Sequence, residues 1–314
     1  MASEDERTDT DPPRTTNAHP PTSHQPVMVA EVLEYLAPSR GGLFVDCTVG
    51  LGGHARAVLD AGATRLLAID RDPAALEIAR QALSSYGDRV ELAHRDYREL
   101  PAVLTERGIE GVDGVLADLG VSSMQLDAPG RGFSFRRDEP LDMRMDTSTG
   151  LTAAKMLADV DERTLADVIY EFGEERHARR VARAIVEEGK SRRIETTGRL
   201  ADIVRRAVPR KGYSRIDPAT RTFQALRIWV NRELDGLDEF VMNAARRLKP
   251  GGRMVVITFH SLEDRIVKHT LRAVQSAREV GLQVLTKRPV VPSETEVEHN
   301  VRARSAKLRA AERT

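Results

Sequence analysis

Apolar positions follow two rhythms along the chain. Compact apolar runs such as LFVDCT (43 to 48), RLLAID (65 to 70), VELAH (90 to 94), GVLADL (114 to 119) and MVVITF (254 to 259) alternate with longer stretches where apolar residues recur every three or four positions. Runs of the first kind predict buried strands and the second kind predicts amphipathic helices. The pattern therefore predicts a helix around Val29 to Leu36, a strand at Leu43 to Thr48, a helix from His54 towards Leu59 and a strand at Arg65 to Asp70. A helix opened by Pro73 follows, then strands at Val90 to His94 and Gly114 to Leu119. Such alternation predicts an α/β fold, a doubly wound parallel sheet with helices on both faces.

From Gly130 to about Asp217 the alternation stops. The loop RGFSFRRDEPLDMRMD (131 to 146) and amphipathic segments at Arg176 to Glu188 and Leu200 to Val208 predict a helical domain inserted into the sheet domain. A long helix between Thr222 and Leu248, a Lys-Pro-Gly-Gly stop and the strand MVVITF resume the alternation. Residues 1–23, rich in Asp, Glu, Pro, Thr and Ser, predict a disordered tail. The expected organisation is a discontinuous sheet domain over 24–130 and 218–314, with the insert at 131–217.

With 40% hydrophobic and 31% charged residues in 314, the composition is that of a globular protein. No apolar run is long enough for a membrane span, and the first residues are polar rather than basic and then apolar, so a cytoplasmic protein is expected. The single cysteine, Cys47, excludes an internal disulfide and a thiolate-rich zinc site, and no metal is expected. A net charge of zero hides an asymmetry: Arg176 to Arg221 holds fourteen Lys or Arg against five acids, and His299 to Thr314 holds five against one. Arg176, Arg179, Arg180 and Arg183 fall on one face of a helix whose other face carries Ala178, Val181, Ala182 and Ile185. A basic stripe of this kind suits a polyanionic partner, although a solvated arginine face is the commoner use of the pattern.

The segment VDCTVGLGGHA (45 to 55) reads as a strand breaking through glycines into a helix. Gly50, Gly52 and Gly53 let a ligand approach the backbone, and the helix start offers free N–H groups. Asp70, ending the next strand, is placed to accept hydrogen bonds from ribose hydroxyls. The glycine spacing departs from G-x-G-x-x-G and leans from NAD towards S-adenosylmethionine. In a doubly wound sheet the ligand lies outside the carboxyl ends of the strands. That edge should collect Asp46, Gly50, Asp70, Asp96, Tyr97, Asp118 and His260. Clustered acids are costly there unless polar ligands satisfy them, as a ribose and a cationic sulfonium would.

HQPVMVAEVLEYL (24 to 36), CTVGLGGHA, AIDRDP, ADLGVSSMQLD (117 to 127), RGFSFRRDEPLDMRMD, TRTFQALRIWVNREL (220 to 234), KPGGRMVVITFHSLEDRIVK (249 to 268) and VRARSAKLR (301 to 309) resemble the bacterial 16S ribosomal RNA cytosine N4-methyltransferases, the MraW family. The resemblance covers about His24 to Arg309. It implies a class I S-adenosylmethionine-dependent methyltransferase sheet with an inserted helical domain. The implied substrate is a cytidine of 16S rRNA in the decoding centre of the small ribosomal subunit; a homodimer is left open. By the same resemblance, Gly52, Gly53 and His54 hold the methionine part of S-adenosyl-L-methionine and Asp70 its ribose. Tyr97 lies beside the adenine, and Asp118 and Gln125 complete the cofactor contacts.

The exocyclic amine of cytosine is a poor nucleophile, because its lone pair is delocalised into the ring. An enzyme must align it with the methyl donor and accept a proton. Cys47 lies beneath the glycine turn, away from any base, and reads as a packed residue. That favours transfer to nitrogen over a covalent route to C5. Asp118 is the candidate to orient the amine or take its proton, although Leu119, Gly120 and Val121 replace the two prolines and the aromatic common in DNA amino methyltransferases. His260 in FHSLED is a second candidate, for base contact or proton relay, with a helix cap as its alternative. Phe133 and Phe135 could stack on an unpaired base or fill the gap between domains. The rival readings are a methyltransferase for small molecules or protein side chains, and a non-catalytic assembly factor keeping the pocket.

Overall fold

The computed structural model describes residues 26–209 and 217–314. The expected disordered tail at 1–23, the start of the first motif at His24, and residues 210–216 near the expected end of the insert lie outside the described residues. The strands are β1 (Leu43–Asp46), β2 (Arg65–Asp70), β3 (Val90–His94), β4 (Val112–Asp118), β5 (Leu248–Thr258), β6 (Leu282–Val284) and β7 (Lys307–Arg313). The helices of the first half are α1 (Val29–Leu36), α2 (Gly53–Asp60), α3 (Pro73–Ala82), α4 (Leu100–Glu106), α5 (Ser123–Asp127), α6 (Ala153–Asp159) and α7 (Glu162–Gly173). Those of the second are α8 (Ala178–Ser191), α9 (Thr197–Ala207), α10 (Ala219–Asn231), α11 (Leu237–Arg247), α12 (Ser261–Ala277) and α13 (Glu294–His299).

The strands form one seven-stranded sheet in the order β3-β2-β1-β4-β5-β7-β6. β1 to β5 pair in parallel, as the alternation predicts. The apolar runs are continuous because both faces of the sheet are covered and successive side chains point to opposite sides. Val45, Leu67, Ile69, Val115, Ala117 and Val256 enter one core, whereas Phe44, Leu66, Ala68, Leu116 and Val255 enter the other. Each buried Leu or Ile contributes about 1.5–3 kcal/mol.

Only the last part of the basic tail is drawn into the sheet; Arg302 and Arg304 ahead of it stay exposed. Residues Lys307–Arg313 form β7, which runs antiparallel between β5 and β6. Apolar Leu308 and Ala310 face one core and Ala311 the other, while Arg309, 4% exposed, reaches Asp264 Oδ1 at 2.7 Å. Alternating small apolar residues let the strand fill a sheet interior, and its buried guanidinium has a carboxylate partner.

A third core runs from Phe133 through Leu165, Val181 and Leu200 of the segment expected as an insert and continues past residue 217 into Ala219, Phe223 and Leu226 of α10. On α8, Ala178, Val181, Ala182 and Ile185 are buried, and Arg179, Arg180 and Arg183 are exposed. Phe133 is buried in this core, and Phe135 meets Phe223 edge-on with centroids 4.7 Å apart. Neither ring is the exposed base-stacking platform considered above: Phe133 is buried in this third core and the half-buried Phe135 packs against its edge on a ring of α10. Insert and sheet are tied by polar contacts. Arg131 Nη2 donates to Asp72 Oδ2 at 2.9 Å, and Asn231 Nδ2 donates to Met143 O at 2.7 Å while its Oδ1 accepts from Arg71.

Candidate active site

The carboxyl ends of β1, β2 and β4 open into a cavity of about 960 Å³. Its floor is the turn from β1 into α2. Gly50 and Gly52 have φ of 52° and 85°, in the left-handed region where other residues are strained. A Cβ on Gly53 would stand 2.9 Å from Pro26 Cγ, so Pro26 can pack against the turn only because Gly53 has no side chain. The turn is pinned by Asp70: its Oδ2 accepts from Gly50 N at 2.8 Å and its Oδ1 from Asp72 N at 2.9 Å. Each oxygen keeps a further lone pair for a ligand hydroxyl.

Tyr97 forms one wall, its ring edge-on to Phe240 at 4.7 Å and its hydroxyl donating to Glu233 O at 3.2 Å. Gln125 lies on the opposite side, buried, donating from Nε2 to Asp72 Oδ2 at 2.9 Å and completing the capping box of α5 with Ser122. Asp96 ends beside β3 as expected but turns away from the cavity into ion pairs with Arg71 and Arg98. Cys47 is 1% exposed, and burial, then Asp46, holds its thiol well above its ordinary range. It is protonated and no nucleophile.

Asp118 also lines the cavity. Its Oδ1 is buried without a hydrogen-bond partner among the described residues, and its Oδ2 is 3.6 Å from His54 Nδ1. His54 Nε2 lies 2.8 Å from Val27 O, a carbonyl that can only accept, so Nε2 carries a proton. Burial lowers the proton affinity of His54, leaving a bare Nδ1 lone pair towards Asp118. Two facing acceptors repel unless a proton lies between them. In accord with that geometry, Asp118 is pushed up to about 7, first by burial and then by Glu263. Burial likewise raises Asp46 to about 7 and Asp70 to about 6. Three carboxyls with raised proton affinity at one sheet edge mark a functional site.

His260 takes its capping alternative. It is the N-cap of α12, accepting from Glu263 N at 3.4 Å, and its Nε2 is 3.1 Å from Glu263 Oε1. From FHSLED it is Glu263, which the sequence reading passed over, that lines the cavity, together with Glu233. The signal for Glu263 was its place three residues into a helix that starts at a strand end. Glu233 accepts both guanidinium bonds of Arg227, at 2.9 and 2.7 Å. Donor atoms of Glu233, His260 and Glu263 lie within 4.8 Å of one another, but the Arg227 guanidinium already supplies the cation of this cluster.

The residues fit S-adenosylmethionine. Glycine backbone, a doubly anchored carboxylate at the end of β2, an aromatic wall and the Asp118 carboxyl line one cavity. No helix among the described residues is long and apolar enough to cross a membrane.

The model of the MraW methylase family matches residues 21–314. The ribosomal RNA small subunit methyltransferase H of Bradyrhizobium diazoefficiens is 52% identical over 305 residues, covering 93% of this chain and 92% of that protein. Its counterpart of the same name in Geobacter sulfurreducens is 52% identical over 307 residues, covering 93% and 99%. A third of that name, from Geotalea uraniireducens, is 48% identical over 306 residues, covering 92% and 98%.

Proposed function

The chain belongs to the MraW methylase family, and from that premise we propose that it transfers a methyl group from S-adenosylmethionine to the exocyclic N4 of a cytidine in the decoding centre of 16S rRNA. It is a methyltransferase of the class I S-adenosylmethionine-dependent fold. Its relatives carry the name of small-subunit ribosomal RNA methyltransferases, which supports the small ribosomal subunit as partner.

The observation that carries the nitrogen target is the Asp118 carboxyl on the cavity lining, whose Oδ1 has no hydrogen-bond partner among the described residues. S-adenosylmethionine supplies an electrophilic methyl on a sulfonium. Gly52, Gly53 and His54 hold its methionine end, Asp70 its ribose, Tyr97 its adenine, and Gln125 keeps the Asp118 loop against Asp72. Asp118 accepts a hydrogen bond from the amine, turns its lone pair towards the methyl and takes up the proton released. General-base help of this kind contributes about 10²- to 10⁴-fold. The protonated Cys47 argues against a thiolate route to C5. The arginine face of α8 grips the phosphate backbone and helps draw the base from its stack, which costs a few kcal/mol.

The deciding experiment transfers labelled methyl to small subunits lacking the modification and digests the RNA to nucleosides. Label in N4-methylcytidine supports the proposal. Label in another nucleoside overturns the target atom, and none at all directs attention to small-molecule substrates or assembly.

A further inference from the structure

Two side chains of the cavity, Asp70 and Gln125, meet behind its wall at a third acid. Asp72 N donates to Asp70 Oδ1 at 2.9 Å, and Gln125 Nε2 donates to Asp72 Oδ2 at 2.9 Å. Asp72 is buried and caps α3, accepting from Ala74 N through Oδ1 at 3.0 Å. Its cation comes from far along the chain: Arg131 Nη2, on a side chain 13% exposed, lies 2.9 Å from Asp72 Oδ2. The same nitrogen reaches Arg144 O at 3.1 Å and Met145 O at 3.0 Å. Met145 lines the cavity, and its amide donates to Asn231 Oδ1 at 2.7 Å. Arg131 is not itself on the cavity lining. One guanidinium arm thus ties the segment after α5 to the loop that carries the ribose acid.

We propose that Arg131 is a positioning residue of the cofactor site: it fixes Asp70 and Gln125 through Asp72, and the Met145 wall through two carbonyls. The inference rests on the S-adenosylmethionine reading above and is independent of the target nucleoside. A buried carboxylate is held by hydrogen-bond donors and a paired cation, and removing the cation leaves an uncompensated charge. Ala74 N and Gln125 donate to Asp72, and Arg131 supplies the paired charge. Without Arg131, Asp72 gains by turning towards water, and Asp70 and Gln125 are bonded to the part that turns. The Met145 carbonyl loses its donor in the same change. A binding site keeps its strength when the residues that touch the ligand are locked by others behind them. The sheet edge therefore holds S-adenosylmethionine at full strength only with the segment after α5 in place.

The test measures S-adenosylmethionine affinity of the full chain by calorimetry. Arg131→Gln removes the charge and should weaken binding by about tenfold or more. Asp72→Asn leaves one side-chain acceptor for three donors and should do the same. Both changes cut one chain of contacts, so the double variant should bind about as well as the weaker single one. Losses that multiply would mean that Arg131 does not act through Asp72, and they overturn the proposal. In steady state Arg131→Gln should raise the KM for S-adenosylmethionine and leave kcat within about threefold. Unchanged affinity in a folded Arg131→Gln makes the residue a structural tie and sinks the idea, as does a loss confined to kcat. If that variant does not fold, hydrogen exchange of the unaltered chain decides. The Met143 amide, which donates to Arg131 O at 2.9 Å, and the Met145 amide should exchange more slowly with cofactor bound; no change at either overturns the proposal. Failure of the unaltered chain to bind S-adenosylmethionine removes the cofactor reading instead.

Discussion

The carboxyl edge of the sheet and the outer face of α8 use charge in opposite ways. At the edge, Asp46, Asp70 and Asp118 are drawn out of water, with few cations to meet them, and their proton affinities rise. On α8, Arg179 and Arg180 stand in solvent, and Arg183 has only an exposed pairing with Glu162. A buried charge changes its chemistry, whereas an exposed one keeps its ordinary state and acts through its field. The first region is suited to moving a proton and the second to attracting a polyanion.

The contrast is broken most severely at Asp118. Asp118→Asn should lower the methyl-transfer rate by about 10²- to 10⁴-fold while calorimetry finds S-adenosylmethionine affinity changed only modestly; a rate within fivefold would remove Asp118 as the proton acceptor. Next comes the cofactor end of the same edge. Asp70→Ala deletes an anchor of the glycine turn and a ribose acceptor, and should weaken S-adenosylmethionine by about tenfold to a hundredfold.

On the other side of the comparison, joint Arg179→Glu and Arg183→Glu substitution should leave S-adenosylmethionine affinity alone. It should weaken RNA binding and flatten the slope of log affinity against log salt by about 2. Unchanged methylation and an unchanged slope would remove the phosphate grip from α8.

The smallest effect is on stability. The edge carboxyls keep their protons up to about pH 6 to 7 in the folded chain, but lose them near pH 4 in the unfolded one. The unfolded state therefore releases protons first as pH rises, and folding stability falls between about pH 4 and 7 and then levels. Cofactor-free protein should unfold at lower denaturant at pH 8 than at pH 5, and Asp118→Asn should reduce that difference by about 1 kcal/mol or more. A variant with the same difference as the parent would mean that Asp118 titrates normally.

What was legible in the sequence follows the same divide. The glycine turn, Asp70 and Asp118 could be read because strand, turn and helix start are local, and their chemistry is set by neighbours close in the chain. The stripe on α8 was legible for the same reason, since helical spacing alone separates its two faces. The tail was only half legible: Arg302 and Arg304 of VRARSAKLR stay exposed, but that Lys307–Arg313 would be flanked by β5 and β6 is a long-range fact. Phe133 and Phe135 were left between two uses, because a loop sequence does not say what packs over it. Glu263 was hidden behind His260, the residue type that draws the eye.

The sequence by itself determined the fold class and the placing of acids and glycines at strand ends, because periodicity and turn chemistry act over a few residues. Only the tertiary structure decided that β7 lies inside the sheet with Arg309 matched to Asp264. It alone brought Glu263 to the cavity of Asp118 with Arg227 and Glu233 behind it. Desolvation and charge proximity depend on distance in space, and residues 118, 227 and 263 become neighbours only once the sheet and the insert have packed.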